Sequence, residues 1–167
     1  MRIGLRLFNT YLLFALAMLL CSTGCKSLGK KKEASTIRLH LEVGADGTDR
    51  NSRVLINRDN PIFVNVEKDP FLTEHYLKSA SVLDVMGGFA IFLQFDQKGT
   101  WLLEQYSTAN KGRRVAIGSQ FGETRWLAAP VFTKRITDGT LVFTPDATRA
   151  EADRIVLGLN NVAKELQ

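Results

Sequence analysis

The residues able to do covalent chemistry in this chain are few, and only one stands where its chemistry would be used. Cys25 directly follows Ser22-Thr23-Gly24, and its thiolate is a soft nucleophile suited to alkylation or acylation. The other thiol, Cys21, follows bulky Leu20 and fits a processing site less well. His40 and His75 are the chain's two histidines. Neither has a second histidine or cysteine at ligand spacing, so no metal site is expected. A serine nucleophile needs a base that is itself oriented. The available pairing is Ser79 or Ser81 with His75, and neither serine sits in a glycine-flanked elbow. Asp84, Asp96 and Glu123 are the carboxylates that hydrolysis would have to pair, yet Asp96 reads as a helix cap and the others as solvated turn groups. Gly44-Ala45-Asp46-Gly47 lacks the Gly-Lys-Ser/Thr of a phosphate loop. No catalytic residue, no cofactor and no metal are expected, and the chain does not read as an enzyme.

The surroundings of Cys25 say what its thiol is for. Arg2 and Arg6 give a basic opening, and Phe8 to Leu20 is almost wholly apolar. A charged start, an apolar run of about 7–15 residues and a small-residue site make a secretory signal. With a cysteine just after the small residues, residues 1–24 resemble a bacterial lipoprotein signal peptide. That resemblance implies a diacylglyceryl group on Cys25, which becomes the new N-terminus after cleavage. Ser22 departs from the pattern, which usually has leucine three residues before the cysteine. An uncleaved anchor and a cleaved, unlipidated protein are the rival readings. Spanning takes about 20 apolar residues, whereas this run is shorter and broken by Asn9-Thr10. Cleavage would also remove Cys21 and leave no partner for a disulfide.

Residues 25–35 read as a lipid-attached, Lys-rich tether with no apolar period. Residues 26–35 reach at most about 35 Å when extended and about 17 Å as a flexible coil, so the following domain would work close to a membrane. The net charge of +5 is local to the N-terminal part: residues 33–167 carry 16 Lys and Arg against 17 Asp and Glu. A near-neutral domain argues against a nucleic-acid partner, which needs a basic face. Lys26, rather than aspartate, follows Cys25. In a two-membrane bacterium that places the anchor in the outer membrane, with the domain in the periplasm of the cell envelope.

The elements that follow are short. Ile37, Leu39, Leu41 and Val43 alternate with Arg38, His40 and Glu42, a half-buried strand with His40 on its polar side. Val54–Ile56, Phe63–Val66 and Ser79–Val85 read as further strands. Phe89, Ile91, Leu93 and Phe95 mark the strongest core strand. Asp96 is placed to cap a helix over Gln97–Asn110, whose Leu102, Leu103 and Tyr106 would face the sheet, and Lys111-Gly112 ends it. Arg113–Ile117 and Arg125–Ala128 read as two strands about a Gln120–Glu123 turn, and Leu141–Phe143 as a short edge strand. Thr148 and Glu151 form a capping box before a helix with the apolar stripe Ala152, Ile155, Val156, Leu159 and Val162. The pattern predicts an α+β fold, with a mixed or antiparallel sheet and two main helices packed on one face, in a single domain over residues 36–167.

The order of these motifs resembles a known family. Val66-Glu67-Lys68-Asp69-Pro70-Phe71-Leu72-Thr73, the Phe89–Phe95 strand with Asp96 and Gly99, and Lys111-Gly112-Arg113-Arg114-Val115-Ala116-Ile117 follow the head subdomain of the first periplasmic domain of SecD. So do Ala128-Ala129-Pro130-Val131, Ile136-Thr137-Asp138-Gly139 and Phe143 through Ala152. The resemblance covers about residues 62–162. It implies the fold, no catalytic residues, and a surface meeting protein or extended polypeptide partners outside the membrane, in export or envelope assembly. The family's proton-coupled membrane helices have no counterpart after residue 25, and residues 33–61 look too short for the companion base subdomain. A proton-driven motor is therefore not expected of this chain alone. The competing expectation is a structural or assembly lipoprotein that never touches a client chain. Trp101, near the start of the first helix, and Trp126, on a strand, are the candidate partner-binding anchors. The Leu141–Phe143 edge is a place where a partner could add a strand.

Overall fold

The alternation of Ile37, Leu39 and Leu41 becomes the middle of the fold. A computed structural model describes residues 32–166 apart from Asp46 and Thr48, so Cys25 and the signal segment lie outside the described residues. Strand β1 (Thr36–Leu41) pairs antiparallel along its whole length with β7 (Val115–Gln120), from Thr36 opposite Gln120 to Leu41 opposite Val115. Flanked by β4 (Leu72–Thr73) and β8 (Thr124–Ala128), these strands make a sheet in the order β4-β1-β7-β8. Strands β5 (Leu77–Val85) and β6 (Gly88–Phe95) form a hairpin, and β9 (Thr140–Phe143) joins β6 to give a second sheet, β5-β6-β9. The hairpin β2 (Asn51–Ile56) and β3 (Ile62–Glu67) is a sheet of its own. Every pairing is antiparallel.

Two helices close one side. Helix α1 (Gln97–Ala109) starts where the Asp96 carboxylate accepts the Gly99 N–H at 2.7 Å, the cap expected from sequence. Helix α2 (Arg149–Leu166) starts on the capping box: Thr148 N–H donates to Glu151 Oε2 at 2.7 Å and Glu151 N–H to Thr148 Oγ1 at 3.2 Å. Leu103 of α1 and Ala152, Ile155 and Leu159 of α2 are fully buried with Ile91, Leu93 and Phe95 in the main core. Helix α2 also holds the start of β1. Ser35 lies buried against Gly158, where a Cβ would come within 2.7 Å of the Ser35 amide nitrogen. Asn161 donates to the Glu33 carbonyl at 2.9 Å, and Lys32 and Arg154 pair with Glu165 and Glu33. Residues 33–35, read as the end of the tether, are thus docked on α2.

Two expectations need correction. His40 is only 7% exposed rather than on a polar face. A second core lies on the opposite side of the first sheet, where Val54, Ile56, Val64 and Val66 of the β2–β3 hairpin cover Ala116, and Trp126 packs against it. His40 meets the Trp126 ring edge-on at 5.1 Å, and its Nδ1 donates to the Glu67 carbonyl at 2.8 Å. Burial holds its imidazole below the ordinary value, so the ring packs neutral. The period-two reading missed this because a strand covered on both sides no longer alternates in exposure. The second correction concerns Arg113 and Arg114, which precede β7. Both reach the 130–132 segment, through Phe132 N–H to the Arg113 carbonyl at 3.0 Å and an Arg114–Val131 bridge, while the Arg114 carbonyl also accepts from the Glu42 N–H just past β1 at 3.0 Å. β7 in turn continues to Gln120.

Charged groups tie the hairpin to the body. Arg58, after β2, meets Asp146 at 3.3 Å and Glu151 at 4.0 Å, while Arg125 lies 3.2 Å from both Glu123 and Glu151. The Thr148 N–H, and then Arg125, pull Glu151 down to about 2. A carboxylate depressed in the fold stabilises it above the unfolded value and loses that contribution as pH falls through the folded one. Between pH 4.5 and 2 the melting temperature should therefore drop more steeply for the parent protein than for Glu151→Gln. Parallel slopes in thermal melts across that range would remove the assignment.

Candidate functional site

The two ends of the β5-β6-β9 sheet are treated differently. At the β5 end the backbone is closed: Asn160 of α2 accepts from the Ala80 N–H and donates to the Ala80 carbonyl, both at 2.9 Å. A side-chain amide thus mimics the missing neighbour strand beside the irregularity between Leu77 and Ser79 and blunts that edge.

At the other end β9 has no further strand beside it among the described residues. Phe95 N–H donates to the Gly139 carbonyl at 2.9 Å. In an antiparallel ladder the inward-facing residues alternate, so Leu141 and Phe143 turn their backbone groups to β6, and Thr140 and Val142 turn theirs outward. The 130–138 segment runs beside this edge. Ile136 N–H, bonded to Ser107 Oγ at 3.0 Å, ties that segment to α1, and a cleft of about 390 Å³ remains between it and β9. Pro130, Val131 and Val142 line it together with the polar Lys134, Arg135 and Asp138, and Val131 and Val142 are 43% and 48% exposed. A second cleft of about 510 Å³, lined by Val85, Ala90, Pro130 and Val142, continues onto the outer face of the same sheet. Leu83, Val85 and the fully exposed Met86 extend the apolar surface to the β5–β6 tip. A free strand edge beside an apolar face can take an extended chain: main-chain bonds hold it while alternate side chains reach the apolar surface.

The other expected site residues lie elsewhere. Trp101 is 60% exposed and lines a shallow cleft with Glu104, Gln105 and Arg135. Trp126 is half-buried over Gly118, where a Cβ would stand 3.3 Å from the indole, and belongs to the packing of the second core. The structure does not bring the two tryptophans into one cleft. Asp84 pairs with Arg149, Asp96 caps α1 and Glu123 pairs with Arg125, so each carboxylate has its own structural partner. His75 bonds to Thr73 Oγ1 at 3.3 Å. Among the described residues no group of three or more His, Cys, Asp or Glu could hold a metal ion, and no helix is long and apolar enough to cross a membrane.

Sequence reasoning located the β9 edge but not Asn160, which closes the β5 edge, or the Asp138 carboxylate, which accepts from the Thr140 N–H on β9. A polar residue directly after buried Leu159 on α2 was the signal for the first. An aspartate two residues before Thr140 was the signal for the second, since Asp accepts from nearby backbone N–H groups in turns.

Comparison with known proteins agrees with the motif order. The family description "SecDF, P1 head subdomain" matches residues 52–163, starting about ten residues before the stretch 62–162 that the motif resemblance covers. Two solved structures share the fold. The first, from "Structure and function of a membrane component SecDF that enhances protein export", is 20% identical with a TM-score of 0.55, covering 77% of this chain and 63% of that one. The second, "Crystal structure of SecDF in Super-membrane-facing form", is 20% identical with a TM-score of 0.56, covering 77% of this chain and 19% of that one. The chain therefore spans less than two thirds of either relative. No curated protein matches it.

Proposed function

The chain belongs to the SecDF P1 head subdomain family, and from that premise we propose that it is a membrane-tethered, non-catalytic module that binds extended polypeptide during export or envelope assembly. The lipid on Cys25 holds it at the membrane, and the β9 edge holds the chain. The observation that carries this reading is the contrast between the two ends of one sheet. Asn160 closes β5 with a pair of 2.9 Å hydrogen bonds, while β9 is left with Val142 facing outward beside a cleft of mixed polar and apolar lining. Folds that do not use an edge usually blunt it. Two points support an envelope location: the signal-like start ending at Cys25, and a family known here through a membrane component that enhances protein export. Trp101, exposed on α1, is the second contact we assign to a protein partner.

A photoreactive residue at position 142, with another at position 55 on the exposed face of the β2–β3 hairpin as control, tests this in cells. Crosslinks from position 142 to many different secreted chains, and few from position 55, are expected. Crosslinks from position 142 to one fixed neighbour at constant stoichiometry would instead make the protein a structural subunit of an envelope complex.

A further inference from the structure

Resting on the reading of β9 as the polypeptide-binding edge, we propose that Asp138 is a built-in competitor for it. Its carboxylate occupies the backbone position at Thr140 that an added strand would need. It thereby limits the length of strand the edge accepts.

Thr140 and Val142 are the β9 residues whose backbone groups face away from β6, because Phe95 N–H donates to the Gly139 carbonyl at 2.9 Å and inward-facing residues alternate from there. The two outward amides differ. Thr140 N–H donates to Asp138 Oδ1 at 3.1 Å, and only Val142 faces the cleft without such a cap. The capping carboxylate sits on a fixed turn. Gln94 Nε2 donates to the carbonyls of Asp138 and Gly139 at 3.2 and 3.3 Å. Gly139 has φ of +66°, and a Cβ there would land on the Thr100 side chain, which is itself bonded to the Asp96 carbonyl at 2.8 Å. The turn is thus pinned from both β6 and α1. The Thr140 N–H, and then its hydroxyl, hold the Asp138 carboxyl below its ordinary range, so the group is an ionised acceptor at neutral pH.

A carbonyl of an incoming strand must displace Asp138 to reach Thr140, whereas Val142 is open to it. The edge accordingly offers a short ladder with fast release, which suits a chain that must move on. An engaged strand could lengthen its ladder only by pushing the carboxylate aside.

The test uses the full-length chain in detergent and a short fluorescein-labelled peptide of alternating valine and threonine, read by fluorescence polarisation and amide hydrogen exchange. Asp138→Ala should bind the peptide about two- to ten-fold more tightly, the gain from one further backbone hydrogen bond. Asp138→Asn keeps the Oδ1 acceptor and should bind like the parent. The peptide should slow exchange at Thr140 in Asp138→Ala but not in the parent. If Asp138→Ala binds no more tightly while Val142→Pro loses binding, the competitor role is overturned and the edge reading stands. If Val142→Pro binds as well as the parent, both fall.

Discussion

Changing Cys25 to serine is expected to move the protein out of the membrane fraction and abolish incorporation of labelled palmitate. Diacylglyceryl transfer needs a thiolate, and a serine hydroxyl at the same place is too weak an acid to supply the equivalent nucleophile. The strength of such an anchor would come from chain length. Each buried methylene contributes about 0.8 kcal/mol, one acyl chain alone binds marginally, and two or more hold stably. In the variant, once residues 1–24 are cut away, what remains is the cluster Lys26, Lys30, Lys31 and Lys32, worth about 1 kcal/mol per lysine at an anionic surface and screened by salt. A high-salt wash should therefore release the variant and leave the parent in place. Mass spectrometry of the parent's N-terminal peptide should find residue 25 as the first residue, carrying lipid. A parent that keeps Met1, or that washes off without label, would remove the anchor.

Val142→Pro should cost the protein its hold on extended peptides, by about ten-fold or more, while barely changing its melting temperature. Proline is tolerated on an edge strand when the missing N–H points to solvent. Val142 meets that condition, since Leu141 and Phe143 carry the bonds to β6. The substitution removes the uncapped donor, worth up to about 1.5 kcal/mol, and the ring fills the approach path of a neighbouring strand. Val142→Lys serves as a second variant that keeps the N–H but puts a charge where edges are commonly guarded. Binding by both variants at the parent's affinity would place the client surface elsewhere. A fall in melting temperature matching the loss of binding would mean that β9 itself had come apart.

Much of this fold can be read from local sequence, and the residues that allow it have local causes. Asp96 caps α1, and Thr148 with Glu151 caps α2, because a cap depends on groups within three residues of each other. Phe89, Ile91, Leu93 and Phe95 name the central strand of the second sheet because a strand with one covered face writes its period into the chain. His40 shows where that logic ends. Its neighbours in sequence are consistent with a solvated face, and only the β2–β3 hairpin, folding over Ala116 and Trp126, puts the imidazole in a second core. Arg113 falls outside β7 for a similar reason, because its partner Phe132 lies in a loop with no strand pattern.

The candidate site divides along the same line. Composition and spacing alone are the basis for reading Cys25 as the thiol in a processing context and Leu141–Phe143 as short enough to be an edge. Which edge is open depends on partners far away in sequence. Asn160 reaches Ala80 across eighty residues, and Gln94 holds the turn of Asp138 across forty-four. Hydrogen bonds of this reach leave no periodic trace in the chain, since either residue would look the same facing water. Local sequence therefore determined the strands and their caps. Tertiary packing decided which backbone groups were left to meet a partner.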